Sequence, residues 1–139
     1  MTFTRRETLA LGLGAAALSV LPIHARAATW DELIAEFTGG AAMADTGITL
    51  TAPEIAENGN TVPIDVAAPG ATAIMVLATG NPTPPVATFN FGPLAASQAA
   101  STRIRLAKTQ DLIAIAKLAD GSFAKAQATV KVTIGGCGG

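Results

Sequence analysis

The chain has no tyrosine, one histidine, one tryptophan and one cysteine among its 139 residues. Each scarcity removes a class of chemistry. The single histidine, His24, lies in an N-terminal stretch with the marks of an export leader, so the processed chain would have none. Without histidine there is no Ser-His-Asp or Cys-His catalysis, and the usual general base near neutral pH is missing. The lone cysteine, Cys137, has no partner for an intrachain disulfide, and zinc sites built from cysteine and histidine are excluded within one chain. Charge is scarce as well, at 14% of residues with a formal net charge of −1. No basic patch is present to hold a phosphate backbone, so nucleic acid is not an expected partner. These absences predict no catalytic residues, no metal and no cofactor, and a chain that enzymes act upon.

The N-terminus carries Arg5 and Arg6, then the apolar run LALGLGAAALSVLPI at 9–23, then Ala25-Arg26-Ala27. A charged start, an apolar middle and a small-x-small cleavage pattern read as an export signal over residues 1–27. The arginine pair points to the twin-arginine route and hence to the periplasm. The alternative is an uncleaved anchor, but the run is shorter than the ~20 residues that a membrane span needs, so no stable membrane association is expected. Cleavage after Ala27 removes three of the nine basic residues and one of the ten acidic ones, which leaves a net charge of −3.

Half of the residues are hydrophobic, and their spacing changes along the chain. Thr29 and Glu32 have capping-box spacing, Leu33, Ile34 and Phe37 recur at helical intervals, and Gly39-Gly40 stops the pattern. This predicts a short amphipathic helix at about 30–38, with Trp30 either packing on the body or serving as a functional aromatic. From residue 47 onward, short runs rich in Ile, Val and Thr alternate with Gly, Pro and Asn. Strands are expected near 47–52, 61–68, 72–79, 86–91, 102–106, within 111–121 and over 123–134, with a turn at Glu57-Asn58-Gly59-Asn60 and a rigid loop at 80–85. TAIMVLAT at 72–79 is almost wholly apolar, so it belongs in mid-sheet with both faces covered. In VATFNF, Val86, Thr88 and Asn90 should share one face and Ala87, Phe89 and Phe91 the other. Likewise Ile104 and Leu106 should face the core and Arg103 and Arg105 the solvent.

About seven short strands with a short N-terminal helix predict an all-β protein: an immunoglobulin-like antiparallel β-sandwich over residues 28–134. A small barrel is the alternative. The alanine-rich, weakly charged body either covers its apolar faces internally or meets a stable subunit partner. Arg103, Arg105 and Lys108 are either a docking surface or ordinary solvent-facing residues.

The chain ends in VTIGGCGG, 132–139. A lone cysteine is often a small buried hydrophobe, but Cys137 has only glycine beside it and no apolar neighbours to carry it into a core. An unpaired cysteine in an exported protein marks intermolecular pairing or a reactive thiol. Gly135, Gly136, Gly138 and Gly139 predict a thin, flexible arm over 135–139 with a reach of roughly 15–18 Å. With no adjacent cation, the thiol stays near its ordinary value of ~8.5 and is mostly protonated at neutral pH. It therefore suits a covalent attachment point whose chemistry is done inside other proteins. A permanent intermolecular disulfide, with the domain as a scaffold, is the competing use.

An exported sandwich with this tail resembles the SoxY family, thiosulfate carriers of bacterial sulfur oxidation. The resemblance rests on PVATFNFGP at 85–93, STRIRLAKTQDLIAIAKLADG at 101–121 and AQATVKVTIGGCGG at 126–139, with the GGCGG terminus as its most specific part. It implies that Cys137 carries sulfur intermediates without being catalytic. It implies a stable heterodimer with SoxZ, and transient encounters with the cytochrome SoxXA, the hydrolase SoxB and, in complete systems, the sulfane dehydrogenase SoxCD.

Overall fold

Helix α1, Trp30–Thr38, forms where local signals require it. Thr29 is extended at φ −71 and ψ 157 and accepts a hydrogen bond at its hydroxyl from the Glu32 N–H, while the Glu32 carboxylate accepts from the Thr29 N–H at 2.8 Å. Gly39 ends the helix in the left-handed region at φ 64, where a side chain would be strained. The computed structural model describes residues 28–135. The expected leader with Arg5 and Arg6, and Gly136, Cys137, Gly138 and Gly139 of the expected arm, lie outside the described residues.

Nine strands follow among the described residues: β1 Met43–Ala44, β2 Thr49–Thr51, β3 Ile55–Ala56, β4 Val62–Ala67, β5 Ala71–Ala78, β6 Pro85–Asn90, β7 Ala99–Ile104, β8 Gln110–Leu118 and β9 Phe123–Val132. The large sheet has the order β1-β9-β8-β5-β6, with β3 also paired to β9 near its end. The small sheet has the order β2-β4-β7. The two sheets pack face to face around Val62, Ile64 and Val66 of β4, Ile74 and Val76 of β5, and Leu112 of β8. Among the described residues the result is mostly β with one short helix, in a sandwich-like arrangement.

The outer face of the large sheet is covered by α1. Trp30, Leu33, Ile34 and Phe37 pack against Met75, Leu77, Ile113, Ile115 and Phe123. Phe37 meets Phe123 edge to face, with ring centroids 6.0 Å apart. Thus β5 is buried on both faces, as its apolar run required, and β8 is treated the same way. Among the described residues, the apolar faces of the central strands are covered within the chain, and Trp30 has a packing role.

The structure corrects three expectations. The sequence predicts about seven strands and the described residues hold nine, because β1 and β3 are two-residue strands with no periodic signal of their own. The sheet is not wholly antiparallel, since both of these run parallel to β9, pairing Met43 with Phe123 and Ile55 with Lys131. The alternation in β6 breaks at a bulge. Val76 pairs with Ala87 and Leu77 with Pro85, so Val86 is the extra residue and packs on the core alongside Phe89 and Phe91. Ile104 and Leu106 do face the core while Arg103 and Arg105 are exposed, although strand pairing ends at Ile104.

This layering predicts where stability resides. Leu77 is fully buried between β5 and α1, whereas Leu94 is 97% exposed. Leu77→Ala should lower unfolding free energy by about 2–5 kcal/mol in urea titrations, and Leu94→Ala by less than about 0.5 kcal/mol. Equal effects would contradict the burial of the helix-covered face.

Candidate functional site

The described chain reaches its C-terminal end at the rim of the sandwich, and each residue there is held by a different segment. β9 pairs with β8 from Phe123 to Val130, so it leaves the core along a rigid neighbour. At Val132 the backbone N–H donates to the Thr109 hydroxyl at 2.9 Å. At Thr133 the N–H donates to the Ala56 carbonyl at 3.1 Å, and the hydroxyl donates to the Glu57 carbonyl at 3.1 Å. At Ile134 the carbonyl accepts from the Gly59 N–H at 2.7 Å. The turn expected at 57–60 is thus a clamp. Gly59 is buried, and its own carbonyl accepts from the Leu106 N–H at 2.7 Å.

Gly135 has a role that a hinge alone does not explain. A Cβ at this position would overlap the backbone carbonyl oxygen of Ala107. Glycine is required here for close backbone approach. Of the expected arm over 135–139, Gly135 is thus seated on the body, and the rest lies outside the described residues. Gly135 to Cys137 is two residues, so the cysteine Cα lies within about 7 Å of the Gly135 Cα whatever its conformation.

Beneath Ala107 lies a buried polar knot. Asn81 and Gln110 are 8% and 7% exposed. The Asn81 amide donates to the Arg105 carbonyl at 2.8 Å, and its oxygen accepts from the Ala107 N–H at 3.0 Å and the Gln110 amide at 2.8 Å. Gln110 also donates to the Lys108 carbonyl and accepts from the Gly80 N–H at 2.8 Å. Two side chains therefore satisfy the backbone of a segment without strand partners, as burial demands. They hold Ala107 against Gly135. Sequence reasoning missed both residues. Asn81 reads as a loop residue beside Gly80, and Gln110 as a polar start to an apolar strand, and nothing local marks them as partners.

The fold also brings charge to this rim. Arg105 and Lys108, both exposed, flank Ala107, although they are far from Cys137 in sequence. Arg103 lies on β7 opposite Pro63, within the small sheet. A separate cleft of about 390 Å³ opens between α1 and the outer face, lined by Trp30, Asp31, Met43, Asp111, Lys125 and Gln127. Among the described residues no group of three or more His, Cys, Asp or Glu is placed to hold a metal ion. No described helix is long and apolar enough to cross a membrane.

Asn81→Ala would leave the Arg105 carbonyl, the Ala107 N–H and the Gln110 amide short of partners, and should cost about 2–4 kcal/mol in stability. Gly135→Ala should leave global stability within about 1 kcal/mol but break the clamp, because the root must shift off Ala107. Hydrogen exchange at the Gly59 amide reads this directly. Faster exchange in Gly135→Ala is expected, and unchanged protection would show that the root is not held as described.

Comparison with known proteins bears on this arrangement. Residues 34–137 match the family model for the sulfur oxidation protein SoxY. The structure is similar to that of the sulfur carrier protein SoxY from Chlorobium limicola f thiosulfatophilum, with 38% identity, a TM-score of 0.64, and coverage of 78% of this chain and 100% of that one. It also resembles a superoxide reductase (neelaredoxin) from Ignicoccus hospitalis, at 21% identity and a TM-score of 0.54 over 63% of this chain and 80% of that one, a likeness of fold alone. No curated protein matches the chain. The family match runs through Cys137 and takes in the clamped root at Thr133, Ile134 and Gly135, so the chain belongs to the SoxY family of sulfur oxidation proteins.

Proposed function

We propose that this chain is a covalent carrier of sulfur intermediates in periplasmic thiosulfate oxidation, with Cys137 as the attachment point. The observation that carries this reading is the rigid delivery of residue 135 to the rim of the sandwich, two residues ahead of the single cysteine. The body holds the root, and the family match spans the cysteine itself. The described rim offers no histidine to act as a base, so loading and release fall to other proteins.

In the first step the Cys137 thiol and thiosulfate are coupled. A sulfur–sulfur bond forms between Cys137 Sγ and the outer sulfur of thiosulfate, the thiol proton is released, and two electrons pass to the haems of a cytochrome partner of the SoxXA kind. In the second, a SoxB-type hydrolase adds water across the sulfur–sulfonate bond. Sulfate leaves with a proton, and Cys137 retains a persulfide. A SoxCD-type dehydrogenase, where one is present, takes that sulfur onward. SoxZ is the proposed stable subunit partner, and the sandwich is read as immunoglobulin-like. Export follows the twin-arginine route, through Arg5 and Arg6. Attachment raises the effective concentration of the substrate at each enzyme in turn.

Cys137→Ser should abolish thiosulfate-dependent turnover while leaving folding and subunit binding intact. Intact-mass spectra after incubation with thiosulfate and the coupling cytochrome should place the adduct within residues 135–139. Full turnover by the serine variant would sink the proposal. A quantitative disulfide-linked dimer that persists through turnover on non-reducing gels would instead favour a scaffold with a permanent disulfide.

A further inference from the structure

Asn58-Gly59 is the one place in the chain where an asparagine precedes a glycine, since Asn60, Asn81 and Asn90 precede Thr61, Pro82 and Phe91. The pair is chemically unstable in any peptide. The glycine nitrogen attacks the asparagine side-chain carbonyl carbon, because glycine has no β-carbon to stand in the way. A five-membered imide forms and ammonia leaves. Two conditions set the rate. The side-chain carbonyl must be open to attack, and the glycine nitrogen must be free to lose its proton and turn towards it.

The structure meets the first condition and blocks the second. Asn58 is exposed, and its side-chain oxygen accepts from the Asn60 N–H at 3.0 Å, which draws electrons from the carbonyl carbon. The Gly59 nitrogen is guarded. Gly59 is buried, and its N–H donates to the Ile134 carbonyl at 2.7 Å. The Asn58 carbonyl of the same peptide group accepts from the Thr61 N–H at 3.4 Å. The next carbonyl, that of Gly59, accepts from the Leu106 N–H at 2.7 Å. The peptide group is thus held on both sides with its proton covered. The bond on the reacting nitrogen comes from the arm root, where Thr133, Ile134 and Gly135 are all exposed, so no buried side chain backs it. Segments held in this way open at a lower free-energy cost than the core. The group that guards the nitrogen is therefore readily released.

We infer that Asn58-Gly59 is a self-modification site gated by the arm root. While Ile134 is bonded to Gly59 the pair is inert. When the root lifts, the Gly59 nitrogen gives up its proton and bonds to Asn58 Cγ as the Cγ–Nδ2 bond breaks. The released nitrogen leaves with that proton as ammonia. Water then opens the imide, its hydroxyl adding to one of the two carbonyl carbons and its proton returning to the nitrogen. Opening at the side-chain carbonyl gives aspartate. Opening at the main-chain carbonyl gives isoaspartate, with one extra carbon in the main chain. That carbon lengthens the path between Ala56, which bonds Thr133, and Gly59, which bonds Ile134, so the two bonds no longer form together and the clamp is lost. The reaction needs only water, and it is independent of whether Cys137 carries sulfur.

The test is ageing of the full chain at mildly alkaline pH. Peptide mapping reads the amide-to-acid mass gain at residue 58, and an isoaspartate-specific methyltransferase reads the rearranged product. Conversion at Asn58 should be at least about tenfold slower in the native chain than in the same chain unfolded in urea. Gly135→Ala and the bulkier Gly135→Val place a Cβ against the Ala107 carbonyl and push the root away. Both should raise native-state conversion about tenfold while circular dichroism shows the chain still folded. Asn58→Gln should show no conversion, because its longer side chain would have to close a six-membered ring. The isoaspartyl fraction of aged wild type, separated by its added negative charge, should have lost the exchange protection of the Gly59 amide. Equal rates in native and unfolded wild type, or a wild-type rate in both Gly135 variants, would overturn the gate. Conversion at the wild-type rate in Asn58→Gln would remove the site. An isoaspartyl fraction with Gly59 still protected would remove the loss of the clamp.

Discussion

Strands β5 and β8 are apolar on both faces, and the rest of the structure follows from the need to cover them. One cover is the small sheet, whose Val62, Ile64 and Val66 meet Ile74, Val76 and Leu112. The other is α1, whose Leu33, Ile34 and Phe37 meet Met75, Leu77 and Ile115. Burial of this kind is the main favourable term in folding. Here it also organises the edge of the sheet, because β9 is paired to β8 along most of its length and leaves the core in a fixed direction. The position of Gly135 is thus tied to the packing of β8, the strand beside β9, and of β5 beyond it.

The second constraint is polar. A segment that leaves strand pairing at Ile104 and rejoins it at Gln110 must satisfy its backbone without a ladder. Asn81 and Gln110 do this from within. The cost of leaving such groups unpaired in a low-dielectric interior makes the segment stiff. Gly59 then links it to Ile134 through one N–H and one carbonyl. Core, polar knot, turn and arm root form a single mechanical chain. The seated Gly135 at the end of it lies two positions before Cys137 in sequence.

Much of the fold is legible in the sequence where the signal is local. The capping box of Thr29 and Glu32, the apolar spacing of α1 and the stop at Gly39 all act within one or two turns, and the helix is found at Trp30–Thr38 as expected. The two-sided burial of β5 follows from its unbroken apolar run. The alternation of Arg103, Ile104, Arg105 and Leu106 assigns their faces even though strand pairing stops partway. What escaped has a common cause. β1 and β3 exist only because β9 offers them an edge, and two residues carry no period. The bulge at Val86 depends on the register of β5 against β6. Asn81 bonds Arg105, Ala107 and Gln110 across 24–29 residues, and Gln110 bonds Gly80 across 30.

For the site, the sequence by itself determined which residue types are available. One thiol, four flanking glycines and no histidine after residue 27 are what support the proposed use of Cys137 as an attachment point. Those are properties of residue type and order, and no fold can add a base that the chain does not encode. Only the tertiary structure decided what holds the residues that precede it. It seats Gly135 against Ala107, and it brings Ala56, Gly59 and Thr109 from separate parts of the chain to bond Thr133, Ile134 and Val132. The physical reason is that close backbone approach and hydrogen bonding between distant segments are non-local properties. They depend on which strands the core places side by side, and no stretch of sequence near Cys137 contains that information.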